Sequence, residues 1–262
     1  MKENRNNPSH RDAEADGVIE GRNAVIEALR AGTAIDKIYL AKGETDAALG
    51  HIASAARSKG VVVVDVDRRK LDYMSRTRAH QGVIAMAAVR EYASVEDILA
   101  RAEERGEPPL IVVCDELSDP HNLGAVIRTA ECAGAHGVII PKRRSAGLTA
   151  VVAKTSAGAV SHLPVARVAN LPSLLKELKK AGIWVFGADA AGTVPLYEAD
   201  LKGADLKGPA AIVIGSEGSG MSRLVAETCD VLVRIPMKGK LNSLNASAAA
   251  AILLYEAVRQ RL

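Results

Sequence analysis

The chain has 262 residues, of which 48% are hydrophobic and 25% charged; this excludes a wholly disordered or collagen-like protein and allows one large domain or two modest ones. Its 34 Lys and Arg against 31 Asp and Glu leave a net charge of +3, which permits a nucleic-acid partner without demanding one. Aromatic residues make up only 3%, too few for a protein that binds RNA mainly by stacking bases on exposed rings.

Residues 1–16 are polar and of mixed charge and read as a disordered tail. A first domain is expected over 17–90. Apolar Ala24, Val25, Ala28 and Leu29 predict a helix over 22–31, and a strand follows over 35–41. An Ala-rich helix is expected over 45–59 and a buried strand over 61–66. The stretch 67–82 carries Arg68, Arg69, Lys70, Arg76, Arg78 and His80, and 83–89 returns to strand. Residues 91–109 read as a linker with one charged helix over 94–105, where Ser94 and Asp97 have capping-box spacing. Glu107, Pro108 and Pro109 break it.

A second α/β series fills 110–262. Strands are expected over 110–114, 137–140, 163–166, 183–188, 210–214 and 231–234. Helices are expected over 122–133, 148–155 and 171–181, then from Ser222 and from about Ser243. Strands alternating with helices predict an α/β fold with a mostly parallel sheet covered on both faces.

Three strand-to-helix turns stand out. Asp119 to Ala130 (DPHNLGAVIRTA) leaves a hydrophobic strand and opens a helix, where free N–H groups can face an anion. Asn122 or Asp119 there is equally an ordinary cap, and Arg128 an ordinary surface charge. His121 is either a base or a turn histidine with a structural hydrogen bond. Ala211 to Gly220 (AIVIGSEGSG) runs a buried strand into a glycine turn that lets backbone approach a ligand. Its G-x-x-G-x-G order is not the G-x-G-x-x-G of dinucleotide enzymes, which argues against a nucleotide-dependent oxidoreductase. Ile235 to Ser247 joins a strand to the Ala-rich last helix, with Ser243 placed to cap that helix and Asn245 as a surface amide. Small residues at Ala246, Ser247, Ala249 and Ala250 allow close packing, internal or across a dimer.

The basic stretch at 68–80 and the run Lys142, Arg143, Arg144 are either solvated faces or phosphate contacts. The second lies beyond a strand end, where open α/β sheets bind ligands. The six histidines have no metal-ligand spacing, and Cys114, Cys132 and Cys229 suit neither a disulfide framework nor a C-x-x-C zinc site. A reducing, cytoplasmic setting without metal follows. No apolar run approaches the ~20 residues that span a bilayer.

The three motifs together, in this order, resemble the SpoU group of the SPOUT RNA methyltransferases, most closely the bacterial subgroup that methylates a guanosine ribose in 23S rRNA. DPHNLGAVIRTAECAG is similar to the family's first motif, IVIGSEGSGMS to its second and IPMKGKLNSLNASAAAAILLYEAV to its third. VIEGRNAVIEAL and HQGVIA, with Gln81 and Gly82, resemble its small α/β RNA-binding domain of ribosomal-protein type. The resemblance implies a C-terminal trefoil-knot methyltransferase domain, S-adenosylmethionine as donor, and a homodimer with active sites at the subunit interface. It implies cofactor contacts at Gly215, Ile235 and Leu244. It implies catalytic and substrate-positioning roles for Asn122, Arg128, Glu217, Ser243 and Asn245. RNA binding is expected from the cationic loops rather than from aromatic platforms, at Arg68, Arg69, Arg76, Arg78, Lys142, Arg143 and Arg144. The family's proposed base matches Arg128. Holding a guanidinium neutral at pH 7 costs roughly 7 kcal/mol, so a cation that binds a phosphate and stabilises the developing alkoxide is the better physical reading. A tRNA ribose methyltransferase and a non-catalytic RNA-binding assembly factor are the alternatives.

Overall fold

The computed structural model describes residues 17–43, 46–198 and 205–262; the tail expected over 1–16 and the first residue of the helix expected over 45–59 lie outside them. The described chain forms two compact units, one running to Glu91 and including Gly147–Val151, the other made of Tyr92–Ala146 and Val152–Leu262.

The first unit holds β1 (Val18–Glu20), α1 (Arg22–Arg30), β2 (Ile35–Ala41), α2 (Ala47–Ser58), β3 (Val62–Val66), α3 (Arg68–Met74) and β4 (Val83–Ala87). Its sheet order is β1-β4-β2-β3. β2 and β3 are parallel because α2 crosses between them, but β4 runs antiparallel to both β1 and β2. This sheet is therefore mixed, where alternation alone predicted a mostly parallel one. Val25 and Leu29 of α1 and Leu49, Ile52 and Ala56 of α2 pack on Ile38, Val83 and Ala85. β3 was expected to be buried, yet only Val66 is fully so, because β3 is the edge strand. The basic stretch opens with α3, which buries only Leu71 and turns its charged side chains to solvent.

The second unit begins with α4 (Val95–Arg105), started by the expected Ser94–Asp97 capping box and ended by Gly106 in the left-handed conformation. Its Ile98 is fully buried in this unit's core. Next come β5 (Leu110–Cys114), α5 (Pro120–Cys132), β6 (Gly137–Pro141), α6 (Ala150–Thr155, in this unit from Val152 on), β7 (Val165–Val168), α7 (Leu171–Lys180), β8 (Trp184–Ala188) and β9 (Val194–Pro195). β10 (Ala210–Ile214), α8 (Arg223–Thr228), β11 (Val231–Arg234) and α9 (Ala246–Arg261) complete it. The seven strands are all parallel, in the order β7-β6-β5-β10-β8-β11-β9. β5 (LIVVC) and β10 (AAIVI) are buried at every position, as central strands between two helical layers must be. On one face Leu174, Leu175 and Leu178 of α7 and Val225 of α8 meet Ile111, Val113, Val185, Ala211 and Val213. α5 and α9 pack against each other, α5 also against β6 and α9 against β10. A Cβ on Gly124 of α5 would stand 2.7 Å from the Thr155 side chain, so glycine is what lets these segments approach.

The last helix differs from expectation in a way that bears on function. It starts at Ala246 rather than near Ser243, and Asn245, not Ser243, is its cap. The Asn245 Oδ1 accepts from the amides of Ser247 at 2.9 Å and Ala248 at 3.3 Å. Residues 235–245 are left as an irregular segment that exposes Leu241 and Leu244.

Candidate active site

In a parallel sheet, ligands collect beyond the carboxyl ends of the strands. Here β5, β8, β10 and β11 all end on the same side. Past those ends lies a cavity of about 360 Å³, lined by residues 188–190, 214–221 and 242–244 together with Val233, Ile235, Met237, Ala246 and Ala249. That volume suits one small organic molecule. Gly215, Ile235 and Leu244, the three positions expected at a cofactor, all line it.

The glycine turn after β10 shapes one wall. Ser216 and Gly220 exchange two backbone hydrogen bonds of 2.9 Å, folding the segment back on itself. A Cβ on Gly215 would lie 2.1 Å from the Gly220 carbonyl carbon and 2.2 Å from the Met221 nitrogen. Only glycine permits this closure. Asp115, buried after β5, accepts from the Ser222 amide at 2.7 Å and pins the far end of the turn.

Beside the cavity the three motifs meet at one side chain. Asn245 Nδ2 donates to Asn122 Oδ1 at 3.0 Å and, by a short contact, to Glu217 Oε1. With Oδ1 spent on α9, every polar atom of this amide is used. Asn245 is thus the junction of α5, the glycine turn and α9, more than the surface amide its sequence position suggests. Glu217 is exposed and Asn122 buried, so the junction carries one solvent-facing carboxylate on a buried support. Ser243 lines the cavity, and among the described residues no hydrogen bond joins it to this junction.

Arg128 stands apart. Six residues after Asn122 fall about 120° short of two full helical turns, so the exposed Arg128 occupies another face of α5. Among the described residues, no hydrogen bond or ion pair joins its guanidinium to the Asn122–Asn245–Glu217 junction. His121 behaves as a turn histidine: its amide donates to Asp119 Oδ1 at 2.9 Å, and its Nδ1 lies 3.4 Å from Thr155 Oγ1.

Of the basic residues in the first unit, Arg68, Arg69, Arg76 and Arg78 are exposed. His80 is not part of that surface. It is 2% exposed, its Nε2 is 3.0 Å from Asp72 Oδ1, and its Nδ1 accepts from the Gly82 amide at 3.0 Å. In the second unit Arg143 and Arg144 are exposed and Lys142 is half-buried. Arg144 Nη1 pairs with Glu116 Oε1 at 2.9 Å, and that hydrogen bond raises the guanidinium above its usual range.

Sequence reasoning passed over Asp189. It follows β8 at its carboxyl end, lines the cavity, and caps its own turn by accepting from the Ala191 amide at 2.8 Å. Its place at a strand end was the available signal. Among the described residues, Asp189 and Glu217 are the two charged side chains on the cavity wall, both negative. Apolar Ile235, Met237 and Leu244 stand beside the uncharged polar Ser216, Ser219, Asn242 and Ser243, a surface matched to a partly apolar, cationic molecule. Among the described residues, no group of three or more His, Cys, Asp or Glu is placed to hold a metal ion, and no helix is long and apolar enough to cross a membrane.

A glycine turn, a cavity of mixed polar and apolar lining and a polar junction at the strand ends of a parallel sheet define an α/β domain built around a small-molecule site. Residues 109–255 match the SpoU rRNA Methylase family, and residues 18–93 match RNA 2'-O ribose methyltransferase substrate binding. YacO of Bacillus subtilis, placed in the TrmH family of tRNA/rRNA methyltransferases, is 48% identical over 243 residues, covering 93% of this chain and 95% of its own. The AdoMet-bound rRNA methyltransferase from Sinorhizobium meliloti superposes with a TM-score of 0.57 at 28% identity, over 97% of this chain and 90% of that one. The A. aeolicus TrmH/SpoU tRNA modifying enzyme superposes with a TM-score of 0.53 at 30% identity, over 63% of this chain and 83% of its own. The chain belongs to the SpoU family of RNA methyltransferases.

Proposed function

We propose that the protein methylates a ribose 2'-hydroxyl of RNA with S-adenosylmethionine as donor, and that its substrate is a guanosine of 23S rRNA. The observation that carries this is the Asn245 junction, which ties the first and third motifs to Glu217 at the rim of the cavity. S-adenosylmethionine supplies an electrophilic methyl group on a cationic sulfur. Gly215, Ile235 and Leu244 hold the donor, and Asp189 and Glu217 offer its positive charges a negative wall. Asn245 fixes Glu217 and Asn122 so that their polar atoms need not reorganise during reaction. Ser243, on the same wall, positions the ribose. Arg128, kept as a cation, binds a neighbouring phosphate and stabilises the ribose oxygen as it bonds to the methyl carbon, the carbon–sulfur bond breaking to leave a neutral thioether and the hydroxyl proton passing to solvent water. Its outward face on α5 suits a homodimer in which each copy completes the other's site. The half-buried Ala251 and Ile252 and the exposed Tyr255 of α9 support such an interface. The family likeness supports a threaded, knotted crossing in this domain, where β10, late in the chain, lies between the earlier β5 and β8.

Ribosomal RNA is favoured over tRNA by domain content. The rRNA methyltransferase from S. meliloti matches 97% of this chain, both units included, whereas the tRNA-modifying relative matches 63%. The first unit, with Arg68, Arg69, Arg76 and Arg78, is then the RNA-binding domain, joined by Lys142, Arg143 and Arg144. The test is incubation with methyl-labelled donor and separate pools of deproteinised 23S rRNA and tRNA, followed by mapping of alkali-resistant ribose. Label confined to rRNA at a guanosine is the expected result. Label in tRNA replaces the substrate, label on a base replaces the reaction, and RNA binding without label leaves an assembly factor.

A further inference from the structure

We infer that Glu20 is a positioning residue for RNA binding: from the end of β1 it holds the turn 75–79 in the shape that presents Arg76 and Arg78 as an anion-binding edge. This rests on the reading of the first unit as an RNA-binding domain.

The turn between α3 and β4 has no regular structure, yet its hydrogen bonds are all directed. The Glu20 carboxylate accepts from Ser75 Oγ, from the Arg76 amide at 2.7 Å, and from the Thr77 hydroxyl and amide at 3.0 and 3.3 Å. The two hydroxyls it grips pass the order on. Ser75 Oγ accepts from the Arg78 amide at 2.8 Å, and Thr77 Oγ1 accepts from the Ala79 amide at 3.2 Å. Four consecutive amides, 76 to 79, are thereby satisfied by one carboxylate or by hydroxyls attached to it. Burial would push the Glu20 carboxyl up, but these bonds outweigh it and hold the group below the ordinary carboxylate range.

The far end of the turn is anchored independently. His80 is held by Asp72 and the Gly82 amide, and Gln81 binds Arg22 through its side chain and its carbonyl. Arg78 sits at φ 58°, in the left-handed region that a residue of this size rarely adopts. Such a conformation persists where surrounding bonds impose it. An exposed polar turn could leave its amides to water at little cost. Here the carboxylate takes the amides of 76 and 77 and the hydroxyls it holds take those of 78 and 79, while the arginine side chains of 76 and 78 remain at the surface. Without Glu20 the turn would have to be ordered by the RNA itself, which weakens binding.

The experiment titrates the full-length protein with labelled deproteinised 23S rRNA at fixed salt, and follows methyl transfer in parallel. Glu20→Ala should weaken RNA binding about tenfold, the cost of ordering roughly one residue's backbone. It should raise the KM for RNA while kcat at saturating RNA and affinity for S-adenosylmethionine hold. Glu20→Gln, which keeps one acceptor oxygen, should fall between, and carries the test if the alanine variant unfolds its unit. Adding Glu20→Ala to the pair Arg76→Ala and Arg78→Ala should weaken binding no further, because its effect passes through those side chains. Additive losses, a fall in kcat at unchanged KM, or wild-type affinity in both Glu20 variants while the arginine pair weakens binding would each overturn the inference. If the arginine pair itself leaves affinity unchanged, the RNA reading of this turn fails instead.

Discussion

Asn245 performs two tasks with two different atoms, and substitutions can separate them. Its Oδ1 caps α9 and its Nδ2 joins Asn122 to Glu217. Asn245→Ala removes both. Loss of the cap costs about 1 kcal/mol. The stranded Asn122 oxygen, on a residue 6% exposed, adds roughly 1–3 kcal/mol. The contact with Glu217 adds little to stability, because that carboxylate faces water. A total near 2–4 kcal/mol corresponds to a melting point lower by about 4–16 °C for a unit of this size. Asn245→Asp keeps the cap acceptor but turns an oxygen toward Glu217 and Asn122 where a donor stood. Its stability should lie between wild type and alanine, while methyl transfer at neutral pH should fall as far as in alanine. The introduced carboxylate beside Glu217 disfavours double ionisation. Lowering the pH should therefore let one proton bridge the pair and recover part of the activity in Asn245→Asp alone. Thermal melts and initial rates of both variants from pH 5 to 8 decide the matter. Wild-type turnover in Asn245→Asp at neutral pH would refute the junction as part of the site, and an unchanged melting point in Asn245→Ala would refute the cap.

Gly215→Ala should abolish donor binding in calorimetry, because the new methyl would collide with backbone of Gly220 and Met221 that has no freedom to yield; unchanged affinity would show that the turn opens without consequence. Arg143→Glu should weaken RNA binding and flatten its salt dependence more than Arg144→Glu, whose charge Glu116 already engages; equal effects measured at several salt concentrations would assign that ion pair no role. His136 is fully buried, its Nδ1 accepts from the Leu110 amide at 3.0 Å, and burial lowers its basicity despite Glu107 nearby. The folded state thus holds it neutral while the unfolded chain takes up a proton near pH ~6.5, so stability should be full above that pH and decline as pH falls toward the lowered folded value. The contribution is the part of that decline missing in His136→Gln under denaturant titration. Cys114 and Cys229 have their thiols pushed up to about 12, chiefly by burial, whereas Cys132 is exposed; an alkylating reagent at pH 8 should label Cys132 alone until the protein is denatured.

How far the sequence could be read depended on whether the controlling contact was local. Capping of α4 by Ser94 and Asp97 spans three residues and was legible, as were β5 and β10, whose unbroken apolar runs announce central strands. The edge position of β3 was not, because an equally apolar run differs from a buried one only in what pairs beside it. The antiparallel return of β4 depends on the turn 75–82, where order comes from Glu20, more than fifty residues away in sequence. At the site, motif resemblance located the cavity walls, since Gly215, Ile235 and Leu244 all converge there. It could not show that Asn245 bridges 123 residues to Asn122, nor that Asp189 joins the wall from a strand with no motif of its own. The same limit explains Arg128. Resemblance groups it with Asn122 because both lie in one short motif, but helical geometry sends them to different faces of α5. If both serve one reaction, a single copy of the site is incomplete. Mixing Arg128→Ala protein with Asn245→Ala protein should then restore activity that neither has alone, because the mixed dimer rebuilds one intact site from two damaged chains; no recovery from mixtures shown to exchange subunits would leave Arg128 acting within its own chain, or not at all.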